Sequence, residues 1–84
     1  STLLELNLIH CPIDNEILVN IGKITTLTTL NLSNCNNMHP DDLLQLTTLT
    51  NLTMLTIPFH LKETAEEIFI DLIESGKLMM LLPV

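Results

Sequence analysis

The sequence has no tryptophan, no tyrosine and only two phenylalanines among 84 residues. With 46% of the chain hydrophobic and 2% aromatic, any core must be built from leucine, isoleucine and methionine. So large an apolar share excludes a disordered chain. Bases are scarce as well: three Lys and Arg stand against ten Asp and Glu, a net charge of −7. No basic cluster can neutralise successive phosphates, which excludes nucleic acid as a partner. The same acidity disfavours an anionic membrane surface. Long apolar runs are also missing, because the longest, from Leu78 to Val84, falls far short of the roughly 20 residues a spanning helix needs. The opening residues do not read as a secretory signal. Two cysteines are too few for a disulfide scaffold and point to a reducing, cytoplasmic setting.

What is present is a repeat. Leu3, Leu6, Leu8 and Cys11 have L-x-x-L-x-L-x-x-C spacing, and Leu27, Leu30, Leu32 and Cys35 repeat it. Leu52, Leu55, Ile57 and His60 form a third copy, and Leu78 with Leu81 opens a fourth. The copies are offset by 24, 25 and 26 residues. This pattern resembles the leucine-rich repeat family, and the cysteine closing "LLELNLIHC" and "TTLNLSNC" is similar to its cysteine-containing subtype, known in F-box adaptor proteins. The third copy departs from that subtype, with His60 in place of cysteine. The resemblance implies an α/β fold: a short right-handed leucine-rich-repeat solenoid, with a parallel sheet on its concave side and helices on its convex side. It also implies a protein-binding module, with the substrate-selecting arm of a ubiquitin-ligase adaptor as one form of it.

The residues support the same architecture. Leu30 and Leu32 alternate with Asn31 and Ser33, and Leu55 and Ile57 flank Thr56, the two-residue period of a half-buried strand. One short strand per copy and a return path of about fifteen residues predict parallel strands joined by right-handed, mostly helical crossovers. Asp14 to Ile21 reads as the first helix, capped by Asp14 or Asn15 and stopped at Gly22, with Lys23 at its negative end. Pro40 opens the second, with Asp41 and Asp42 in its first turn and Leu43, Leu44 and Leu46 toward the strands. The third takes Thr64-Ala65-Glu66-Glu67 as a capping box and Gly76 as its stop. Ala65, Ile68, Phe69, Leu72 and Ile73 form its apolar stripe, opposite Glu67, Asp71 and Glu74, with Ile70 at the border.

The result is one domain of about three repeats, 1–26, 27–51 and 52–77, with the start of a fourth at 78–84. No polar capping repeat closes either end, so the chain is expected to be a piece of a longer protein or to associate with itself through its open ends.

Candidate chemistry is sparse. Cys11, Cys35 and His60 hold equivalent positions and should stack about 5 Å apart, the spacing of parallel strands. Side chains stacked in a ladder do not converge on one metal ion or bond one another readily, so a buried structural ladder is expected rather than a zinc site or a disulfide. His39-Pro40-Asp41-Asp42 is explained as a helix start, where the dipole favours acids. Ser33 has no His/Asp partner placed for catalysis, and no phosphate loop, G-x-S-x-G or H-E-x-x-H segment occurs. Asn31-Leu32-Ser33 and Asn51-Leu52-Thr53 are formal glycosylation sequons in a chain rich in Asn and Thr. The acids between Glu63 and Glu74 read as a solvated helix face. The expectation is therefore a protein with no enzymatic activity, no cofactor and no metal.

Strand alternation instead marks a surface. Glu5, Asn7 and Ile9, then Thr29, Asn31 and Ser33, then Met54, Thr56 and Pro58 should face the concave side, continued by Met80, Leu82 and Val84. No packing demand evident in the sequence accounts for Asn7, Asn31 or Thr56, so these columns are the candidate surface for a protein partner.

Overall fold

A computed structural model of the chain describes residues 3–81. It is a mixed α/β fold around a parallel sheet whose strands, β1 (Glu5–Asn7), β2 (Thr29–Asn31), β3 (Met54–Thr56) and β4 (Met79–Leu81), lie side by side in chain order. Leu6, Leu30, Leu55 and Met80 are in register across all four strands. Leu30 and Leu55 are completely buried, while Leu6 and Met80 pack half-buried against the same core. Each completely buried leucine contributes about 1.5–3 kcal/mol of transfer free energy. Leu27, Leu32, Leu52 and Ile57 extend that core to either side of the strands, where helical residues close it.

The first crossover carries α1 (Asn15–Gly22). Asp14 caps it as its position predicts, its carboxylate accepting from the Ile17 N–H at 2.9 Å. Leu18 and Ile21 turn inward. Gly22 is not the left-handed stop that the sequence suggests, and no left-handed residue ends this helix, since Lys23 follows in right-handed conformation. Glycine is required at position 22 for a different reason: a Cβ there would collide with the Gln45 carbonyl oxygen of the next unit. The Thr48 hydroxyl uses the same close approach, donating to the Gly22 carbonyl at 2.6 Å.

The second crossover is a 3-10 helix, Pro40–Leu46. Its three-residue period turns Leu43 and Leu46 inward and leaves Leu44 55% exposed, so Leu44 does not face the strands. Asp42 fastens its start, accepting from the His39 N–H at 3.1 Å and from the Asn15 side-chain amide at 3.1 Å. One carboxylate thus ties the starts of two successive crossovers together.

The third crossover begins earlier than Thr64. A 3-10 turn, Phe59–Leu61, runs straight into α2 (Lys62–Ile68), and α3 (Ile70–Glu74) follows after a break at Phe69. Thr64 therefore sits inside α2, and no capping box forms there: buried Leu61 holds the entry instead. Ala65 and Phe69 are buried, Ile68, Leu72 and Ile73 are half-buried, and Ile70, Glu67, Asp71 and Glu74 are exposed, as the apolar stripe predicts. Gly76, at φ +80°, is the left-handed stop.

The last strand is shifted by one residue from the leucine alignment. Leu55 pairs with Met80 and Thr56 with Leu81, so Met79 and Leu81 face outward and Met80 turns into the core. The chain from Leu78 to the strand is one residue shorter than its counterpart after Leu52, and Met80 fills the inward position that Leu81 was expected to take. Leu82 and Val84 lie outside the described residues. Among the described residues no helix is long and apolar enough to cross a membrane.

Candidate functional site

The core packs against one face of the sheet, and the other face is open. Its first column is Glu5, Thr29, Met54 and Met79; its second is Asn7, Asn31, Thr56 and Leu81. The register thus joins six of the nine sequence-marked residues into one continuous surface. Ile9 lies just beyond β1 and is also exposed. The remaining two drop out: Ser33 is 7% exposed and Pro58 is fully buried. Both come two residues after the last residue of an interior strand, where alternation no longer governs, whereas Ile9, the equivalent residue after the edge strand β1, is 42% exposed.

Asn7 and Asn31 acquire a structural role that alternation could not reveal. The Asn7 side-chain carbonyl accepts from the Ile9 N–H at 3.2 Å, and Asn31 repeats the bond to the Ser33 N–H at 3.0 Å. Asn31 also accepts from the Ser33 hydroxyl at 2.5 Å. Each asparagine closes the turn leaving its strand, and the next residue along, His10 or Asn34, takes a positive φ of 63° or 61°. The bonds fix which end of each amide is oxygen, because a backbone N–H needs an acceptor. The two Nδ2 groups are therefore left as donors. Thr56 holds the equivalent position in β3, where the residue two further on is Pro58, which has no N–H to satisfy.

The threonines bordering the strands are likewise committed. Thr28 donates through its hydroxyl to the Leu4 carbonyl at 3.1 Å, and Thr53 to the Thr28 carbonyl at 3.2 Å. Asn51 donates to the Thr25 carbonyl at 2.9 Å. Much of the Thr and Asn content thus stitches one unit to the next.

The cysteine and histidine positions do not form a uniform buried ladder. Cys35 is buried, its thiol 3.1 Å from the Leu8 carbonyl, and burial pushes its pKa above the ordinary thiol value. Cys11 is half-buried and both thiols are free. His60 is exposed, with Nε2 3.1 Å from the Met38 carbonyl. Among the described residues no group of three His, Cys, Asp or Glu side chains is placed to hold a metal. A depression of ≈ 390 Å³ beside Pro12, Asp14, His39 and Asp42 is walled by carboxylates that already serve as helix caps.

Sequence reasoning missed Met79 and Leu81, because the leucine alignment placed them one residue out of phase. It also missed Phe59, 71% exposed after β3. No signal for it was available, since alternation continued through Pro58 turns the next residue inward. Comparison with models of known protein families, with curated proteins and with solved structures finds no match.

Proposed function

We propose that this chain is a non-catalytic protein-interaction module that binds a protein partner through the open face of its sheet. The observation that carries the reading is Met54 and Met79, register neighbours that are 40% and 60% exposed on a face with no covering element among the described residues. Adjacent exposed methionines cost solubility and offer adaptable apolar contact area. A leucine-rich-repeat solenoid is the architecture in which we place that face. It is supported by four parallel strands in chain order and inward residues recurring at intervals of 24, 25 and 25 positions. A reducing, cytoplasmic setting belongs to the same reading, supported by the two free thiols.

The test is capture from the native source with the full chain, its Met54→Glu variant and a Leu44→Glu variant on the helical side. Loss of a partner with Met54→Glu alone, at unchanged circular dichroism, supports the open face. Equal capture by all three overturns it.

A second reading, assembly through the sheet edges, is favoured by one observation: β1 and β4 each have one edge unpaired among the described residues. A molecular mass by light scattering that rises with concentration supports it, and a constant monomer mass refutes it.

A further inference from the structure

The open face is chemically graded along the register. Glu5 is the one charged residue in either column, and it stands at the β1 end of the Glu5, Thr29, Met54, Met79 row. The apolar end of the same row lies two and three strands away, about 10–14 Å at the usual spacing between parallel strands. Beside the β1 and β2 half of that row, in the second column, Asn7 and Asn31 present their Nδ2 donors, with no partner for those atoms among the described residues. Their carbonyls are locked into the turns, so these donors are fixed in orientation. The net charge of −7 adds a long-range bias toward cationic partners.

We propose that the open face receives an extended peptide segment of a protein partner, laid across the strands, with a Lys or Arg over Glu5 and an apolar side chain over Met54 and Met79. The segment's backbone carbonyls accept from the Asn7 and Asn31 amides. At about 3.3 Å per extended residue, and with only alternate side chains on one face of the segment, the base and the apolar anchor are about four residues apart. This proposal rests on the reading of the open face as the binding surface and adds the chemistry of what it binds.

The experiment selects a phage-displayed random dodecapeptide library against the full chain and measures the enriched peptides by fluorescence polarisation. The expected peptides pair Lys or Arg with Leu, Met, Ile or Phe four positions away. Glu5→Lys weakens them roughly three- to tenfold, and Met79→Ala about tenfold. Replacing the peptide's base by Glu restores binding to Glu5→Lys, which a loss of folding could not produce. Peptides that are lost with Met54→Glu but bind Glu5→Lys as well as the parent overturn the proposed chemistry and leave the binding face standing. Peptides indifferent to both variants, or no enrichment at all, overturn the binding face and the proposal together.

Discussion

The turns leaving β1 and β2 and the turn leaving β3 solve one problem in two ways. After β1 and β2 the chain bends through a left-handed residue, and an asparagine carbonyl takes up the N–H that the bend exposes. After β3 the chain bends at Pro58, whose fixed φ starts a 3-10 turn and whose ring nitrogen has no hydrogen to satisfy. Asparagine is present where a donor must be met, and threonine where there is none. The strands themselves stay in register throughout, so the inward leucines set the architecture and the turn residues adapt to it.

The shared part of this comparison should show the largest effect. Leu30→Ala and Leu55→Ala each remove a completely buried side chain and should cost about 2–5 kcal/mol, to a similar extent in both regions. Urea denaturation checks this; a large asymmetry would mean that the two regions do not share one core. The turns should then separate the regions. Asn31→Ala leaves the N–H and hydroxyl of largely buried Ser33 without their acceptor and should cost about 1–3 kcal/mol, whereas Thr56→Ala should stay within about 0.5 kcal/mol. Asn7→Ala falls between them, because water can reach the exposed Ile9 turn. Equal losses at Asn31 and Thr56 would break the account of the turns.

The smallest effect concerns reactivity. Cys11 is half-buried and Cys35 is 2% exposed with its pKa raised by burial, so less of it is thiolate at neutral pH. Alkylation by iodoacetamide, followed by mass spectrometry, should label Cys11 about tenfold or more faster than Cys35. Equal rates would show that the turn around Cys35 opens readily.

Much of this fold was legible because leucine spacing is a direct record of inward positions. Leu6, Leu30 and Leu55 could be aligned from their spacing, and Asp14, Pro40 and Gly76 marked helix boundaries through conformational preferences that act locally. What escaped depended on contacts between units. Gly22 looks like a helix stop until the Gln45 carbonyl is placed beside it. Met80 replaces a leucine on the inward side, and a methionine fills that space without disturbing the pairing. The open face was partly legible: alternation assigned Thr29 and Met54 correctly, but it could not foresee where each strand ends. That is why Ser33 and Pro58 were counted as surface.

The functional account stands on the open face, and Asn31 links that face to the turn chemistry. Nitrogen-15 and proton NMR of the full chain, titrated with a selected peptide, tests it most directly. The account predicts shifts concentrated on the amides of Glu5, Thr29, Met54 and Met79 and on the side-chain NH2 groups of Asn7 and Asn31. Shifts confined to α1, α2 and the 3-10 helix Pro40–Leu46, with those strand and asparagine signals unmoved, would contradict it.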